Sequence, residues 1–488
     1  MTKLNASRRE FLKVSSLMSV AGAAGAPFAL NLATMAAASA QTAAGDFKAL
    51  ICLFMYGGND SANMVLPTDT DSWTTYTTVR NQQPDPISLP PVGATGGVIE
   101  IVPNTAQTVP GGSATRTFAL HPALTNVRDL FNAGRLGIVA NVGPLIAPTT
   151  LTQYNNRSVP LPAKLFSHND QQSTWQAFAP EGAKVGWGGR MGDLLAAQNT
   201  NALFTCISTS GNAVFLSGQS VLQYQVGGNG AIRVNAVNGT SLFGSSTAPG
   251  VLRSLISGDR AHLLEKEYSA TVKRSIDAES LLRSSLLPAG AGGIANPPAF
   301  VTPQGNSVTN GLATQLQTVL RTIGAYAALG IRRQVFLVSI GGFDTHDGQN
   351  NAHRDLYGRI GHALKYLDDT LAAMPNGLGD MRSQVTLFTA SDFGRTFTSN
   401  GDGTDHGWGA HHLVWGGAVK GKDIYGRFPQ LGLQNNPDAV GSGSFLPNIS
   451  VDQYGATLAR WFGIGDGQLN DIFPNLRNFA TRDLGFMS

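Results

Sequence analysis

Apolar residues recur along the chain in short continuous runs of strand length, at 49–56, 136–141, 203–208, 334–340, 385–390 and 412–416. Between them lie segments whose apolar positions repeat at helical spacing, at 123–132, 251–287, 311–329, 351–374 and 451–462. A strand that alternates apolar and polar residues covers one face of a sheet, whereas one that is apolar throughout is buried on both. The pattern therefore predicts an α/β fold, with a mostly parallel central sheet and helices on both faces. Residues 251–287, with Leu252, Leu255, Ile256 and Leu263 spaced among charges, predict one long amphipathic helix that stops at Pro288. The Pro-, Thr- and Gly-rich stretch 66–117, and much of 210–310, predict irregular insertions.

The N-terminus has a different pattern. Ser7-Arg8-Arg9-Glu10-Phe11-Leu12-Lys13 precedes a weakly apolar, alanine-rich stretch at 14–37 and then Ala38-Ser39-Ala40. This order predicts a twin-arginine export signal over 1–40, followed by a single α/β domain over 41–488. Pro27 and Asn31 interrupt the stretch, and no later segment holds 18 apolar residues in a row, so no stable membrane span is expected after processing. The expected location is periplasmic or secreted, with the twin-arginine translocase as the export partner.

Composition narrows the chemistry. Only 13% of the 488 residues are charged, about half the roughly 25% of average soluble proteins. The formal net charge of +3 comes from the export segment, because setting aside residues 1–40 leaves basic and acidic residues equal in number. With no basic excess and no Lys/Arg cluster, nucleic-acid binding is excluded. Cys52 and Cys206 each lie inside an apolar run, which predicts buried thiols, and two cysteines cannot build a cysteine-type zinc site.

Three of the apolar runs lead into glycine-containing loops that carry an acid. Residues 49–56 precede Gly57-Gly58-Asn59-Asp60, 334–340 precede Gly341-Gly342-Phe343-Asp344-Thr345-His346, and 385–390 precede Ser391-Asp392-Phe393-Gly394-Arg395. Ligands of open parallel sheets bind at the carboxyl ends of strands. Asp60, Asp344 and Asp392 are thus expected on one sheet edge, where three carboxylates repel one another unless a cation lies among them. Seven of the nine histidines fall in or near these segments, and mixed imidazole and carboxylate donors suit Zn, Mn or Fe, while Mg or Ca would prefer oxygen alone. His411 and His412 open a strand and His362 has helical spacing, so these read as packing residues.

The same residues, with His121-Pro122, Ser167-His168 and Thr404-Asp405-His406-Gly407, resemble the exported family called domain of unknown function 1501, and the likeness covers nearly the whole chain. That family is similar in fold to the alkaline phosphatase and sulfatase superfamily. The resemblance implies an alkaline-phosphatase-like fold and one or two divalent ions held by Asp60, Asp344, Asp392 and His406, with His346, and His353 as a further candidate. It implies Ser167 as the attacking hydroxyl beside His168, with Arg395 or Arg190 holding an anionic, small-molecule or polymeric ester substrate. The expected activity is hydrolysis of phosphate or sulfate esters; the alternative is a non-catalytic exported binding or assembly protein that keeps the fold. Two positions depart from the superfamily pattern, Phe393 and Gly348 standing where it usually has histidines.

Overall fold

In the computed structural model the apolar run at 49–56 is a central strand of a ten-stranded mixed sheet. The structure describes residues 47–109, 112–228 and 230–488, so the export signal expected at 1–40 lies outside the described residues. The strands of this sheet are β1 (Lys48–Met55), β2 (Leu136–Gly143), β3 (Cys206–Ser208), β4 (Tyr224–Gly227), β5 (Gly230–Ala231), β6 (Arg333–Ile340), β7 (Val385–Ser391), β8 (Ala410–Gly416), β9 (Ile424–Tyr425) and β10 (Ile449–Ser450). They run in the order β9-β2-β8-β7-β1-β6-β3-β4-β5, with β10 also paired to β2. β1 is parallel to both neighbours, Lys48 facing Arg333 and Ala49 facing Val385. The sheet is mostly parallel, as expected, but β8 is antiparallel to both β7 and β2.

The helices that matter for the site are α1 (Thr70–Arg80), α2 (His168–Ala177), α3 (Leu263–Ser285), α4 (Gly311–Ile323), α5 (Gln349–Ala372) and α6 (Val451–Phe462). Side chains alternate along β1. Ala49, Ile51, Leu53 and Met55 join a core with Leu316 and Leu320 of α4 and Tyr357, Ile360 and Leu364 of α5. On the other face Cys52 lies beside Phe388 of β7, whose ring is 5.8 Å from that of Tyr454 on α6. This two-sided burial is why the run carries no polar residue. The span of α6 matches the predicted 451–462 because its ends are marked: Ser450 and Gln453 form a capping box and Gly463 closes the helix in the left-handed region.

Two expectations for the insertions need correction. The stretch 66–117 is not irregular throughout: it holds α1 and contributes to a three-stranded antiparallel sheet formed by Val65–Pro67, Ile99–Ile101 and Phe118–Leu120. The threonine-rich sequence of α1 hides it, but Asp69 caps its first turn by accepting from Ser72 N. The long helix expected at 251–287 is two helices, Ala248–Ser257 and α3, broken around Gly258. Both cysteines are free and buried. No helix among the described residues is long and apolar enough to cross a membrane.

The turn after β1 is set by close approach. Gly57 has φ +114°, and a Cβ there would lie 2.3 Å from Asp344 N; at Gly58 it would lie 2.3 Å from the Phe393 ring. Gly57→Ala is therefore expected to lower stability by at least about 1–3 kcal/mol, the scale of one strained backbone position, read as a fall in thermal midpoint. An unchanged midpoint would show that the 343–344 loop can move away freely.

Candidate metal centre

The carboxyl ends of β6, β1 and β7 lie side by side, and their loops carry Asp344, Asp60 and Asp392. The three acids do not share one cation, however. Asp60 is fully buried, and its oxygens accept from Arg80 Nη2 at 3.0 Å, from Arg80 Nη1, from Gln349 Nε2 at 2.7 Å and from Ala62 N at 3.2 Å. Burial alone would raise its pKa, but the charge and hydrogen bonds of Arg80 outweigh this and hold it below the ordinary carboxylate value. Arg80 is equally saturated, also donating to Asn63 Oδ1 at 2.9 Å, Phe397 O at 3.1 Å and Thr396 O at 3.0 Å. Asp60, expected as a metal ligand, is here engaged by the Arg80 guanidinium and the Gln349 carboxamide.

Asp344 lies in the opening and is about half exposed, at 47%. Its Oδ1 accepts from Arg395 Nη1 at 2.8 Å and faces His168 Nε2 at 3.4 Å, His406 Nε2 at 3.7 Å and His346 Nε2 at 3.0 Å. Partial burial would raise this carboxyl too, yet Arg395, helped by His168 and His346, holds it low. Arg395 is not free for substrate, against expectation. It is enclosed and also donates to Gly57 O, Thr404 Oγ1 and Thr404 O. Thr404 and Thr345 donate to Gln349 Oε1, and Gln349 donates to Asp60, so a buried polar chain runs from the Asp60–Arg80 pair to Asp344.

His168, Asp344 and His406 bring one donor atom each within 4.8 Å of one another. The Nε2 atoms of the two histidines are 3.1 Å apart. His406 Nδ1 lies 2.7 Å from Phe166 O, which can only accept, so Nδ1 carries the proton and Nε2 presents a lone pair. His168 Nδ1 donates to Asp392 Oδ2 at 2.7 Å, which likewise turns the Nε2 lone pair inward. Two lone pairs at this distance need a positive charge between them, a proton or a metal ion. A first-row ion bonded at about 2.0–2.2 Å bridges donors roughly 3–3.5 Å apart in tetrahedral geometry, so the donor set fits such an ion. The Asp392 hydrogen bond raises the pKa of His168, while burial lowers that of His406 despite the Phe166 carbonyl.

Asp392 thus stands behind the His168 imidazole rather than among the three clustered donor atoms. Its Oδ2 also accepts from Gln172 Nε2 at 2.7 Å and Gly57 N at 3.2 Å, while its buried Oδ1 has no hydrogen-bond partner among the described residues. A carboxylate behind a ligating imidazole fixes its tautomer and its aim. Phe393 is buried with its ring 4.7 Å from that of His168 and 4.9 Å from that of His406, forming an apolar wall. His346 is on the open side, with Nδ1 3.2 Å from Asp405 Oδ1.

The residue pattern of the family described as protein of unknown function (DUF1501) matches residues 47–452. The chain belongs to the DUF1501 family. Comparison with curated proteins gives no match.

The remaining expected site residues of this DUF1501 chain lie apart from the three donors or are occupied. Ser167 Oγ donates to Asp170 Oδ2 at 2.8 Å and fastens the first turn of α2. Arg190 donates to Asp471 O and Ile472 O. His353 is buried against Thr345; His411 and His412, expected to be packing residues, are buried in β8. Sequence reading missed Arg80, Gln349 and the Phe166 carbonyl. Only Arg80 had a legible cue, the Asp69 cap eleven residues upstream.

Arg80→Ala leaves the buried Asp60 charge unpaired and is expected to cost about 3–5 kcal/mol. Arg80→Lys, which cannot reproduce the planar fork, should recover only part of this in urea unfolding. Burial holds His121, His411 and His412 at about 3 and His353 at about 4, against 6.5 for a free histidine. The unfolded chain binds more protons than the folded one between those values, so stability is expected to fall as pH drops below about 6.5. The contribution of Asp60, fully present above the unfolded carboxylate pKa, is lost at still lower pH. A flat urea midpoint from pH 7 to 4.5 would contradict the histidine part.

Proposed function

We propose that the chain is an exported, metal-dependent hydrolase of phosphate or sulfate esters, with one divalent ion held by His168, Asp344 and His406. The reading is carried by the two Nε2 atoms that face each other at 3.1 Å while each Nδ1 is committed to an acceptor. Two imidazoles and a carboxylate with an open side are the donors of hydrolytic zinc sites and also suit Mn or Fe, whereas Mg and Ca favour oxygen donors. The adjacency of β6, β1 and β7 with acid-bearing loops at one edge supports a likeness to the alkaline phosphatase and sulfatase superfamily. Phe393 and Gly348, in place of two of its histidines, support one ion rather than two.

Such an ion, when bound, polarises an ester oxygen and lowers the pKa of a coordinated water. The chain's own residues do the rest. Asp392 and the Phe166 carbonyl hold the two imidazoles in one tautomer, Arg395 fixes the Asp344 carboxylate, and the Phe393 ring excludes water from one wall. His346, exposed beside Asp344, is placed to hydrogen-bond an entering ester. Because the Ser167 hydroxyl is tied to Asp170, we assign attack to water rather than to this serine. One observation favours the alternative of a non-catalytic binding protein: both Arg395 and Ser167 are already occupied.

Metal content and ester hydrolysis of the mature protein test this. His168→Ala, His406→Ala and Asp344→Ala should each lose the ion and the activity. Asp392→Asn should weaken the ion by about 10–100-fold, and Ser167→Ala should retain both. Affinity should fall with decreasing pH, because both imidazoles must be unprotonated to bind. No bound metal would sink the hydrolase reading; metal without turnover of phosphate or sulfate esters would leave the binding protein.

A further inference from the structure

The segment between the short helix Leu151–Asn156 and α2 curls around a cavity of ≈ 570 Å³ lined by Tyr154, Arg157, Leu161, Lys164 and Phe166 among others. This volume is within the range of about 300–1,000 Å³ for small-molecule sites. Three features set the segment apart. Lys164 and Phe166 take left-handed backbone conformations, with φ +50° and +71°, and so does Arg157, φ +50°, where it closes the Leu151–Asn156 helix. Side chains of this kind rarely adopt that region, and such positions gather at ligand clamps and active sites. The charge is also one-sided: residues 130–169 include no Asp or Glu, in a described chain otherwise balanced. Lys164 is partly neutralised by Asp170 at 3.3 Å, and the Arg157 guanidinium has neither a hydrogen bond nor an ion pair among the described residues.

The cavity is linked by backbone to the metal centre. Its wall residue Phe166 gives its carbonyl to His406 Nδ1 at 2.7 Å, and the next two residues are Ser167 and the donor His168. We propose that this cavity is an accessory subsite that binds a second anionic group of the substrate, a phosphate or sulfate on a sugar-sized body, through Arg157 and Lys164. The proposal rests on the hydrolase reading for the role of the neighbouring centre, but the binding itself needs no metal. Arg157 supplies the bidentate fork that suits a tetrahedral oxyanion, and Lys164 a point charge. Tyr154 and Leu161, which pack on a small apolar cluster with Trp408, give the body of the ligand an apolar surface.

The test is calorimetric titration of chelator-treated protein with glucose 6-phosphate, glucose 6-sulfate and uncharged glucose. Saturable binding of at least one charged sugar, and none of glucose, is expected; comparing the two esters tells which anion the subsite takes. Arg157→Ala should weaken binding by about tenfold or more, the scale of one charge-assisted hydrogen bond. Failure of metal-free protein to bind either charged sugar, or binding indifferent to Arg157→Ala, would overturn the subsite. Failure of the hydrolase reading is distinct: it is seen as absence of metal or turnover while this anion binding persists.

Discussion

A carboxylate can be placed under the edge of an apolar sheet only if a positive charge or a set of hydrogen-bond donors comes with it, and the site is organised around that requirement. Asp60 receives Arg80 and Asp344 receives Arg395, in each case a guanidinium whose remaining donors are taken up by backbone and side-chain oxygens. Arginine suits this role because its planar fork stays charged and satisfies several acceptors at once. The cost of burying these charges is met by hydrogen bonds, and the chain through Gln349 and Thr404 connects one pair to the other. Asp344 alone is left partly open to solvent.

Asp392 is accommodated in another way, by an imidazole, Gln172 and a backbone amide. The result is a division of labour among three acids that begin as equivalents, each following a parallel strand. One is sealed with arginine, one is shared between arginine and the opening, and one stands behind a histidine. The residues that make this division come from other parts of the chain, Arg80 from α1 and His168 from α2.

This is also why the sequence is informative about some of the site and silent about the rest. Strands buried on both faces leave a continuous apolar signature, so β1, β6 and β7 and the acids that follow them were legible, as was α6 with its marked ends. Partner choice was not. Nothing in Gly57-Gly58-Asn59-Asp60 tells an ion ligand from half of an arginine pair, because both demand a carboxylate at a strand end. Arg80 lay in a threonine-rich helix without an apolar stripe, and the Phe166 carbonyl has no side-chain signature at all. His168 stood out from the sequence as a neighbour of Ser167, yet its tautomer, which makes it a donor, depends on Asp392, 224 residues away.

The reversed direction of β8 has a consequence for how the centre is assembled. Because β7 and β8 are antiparallel neighbours, the chain between them leaves and re-enters the sheet at one edge, and Asp392, Arg395 and His406 all belong to that single excursion. A parallel β8 would have required a crossover that carried the chain to the far edge and back. Of the three donors, His406 thus sits in the 392–409 excursion between neighbouring strands, whereas His168 comes from a helix more than two hundred residues earlier in the chain. The three donor atoms come together only once this long-range contact has formed, so the candidate centre is a feature of the finished tertiary fold rather than of any one of its pieces.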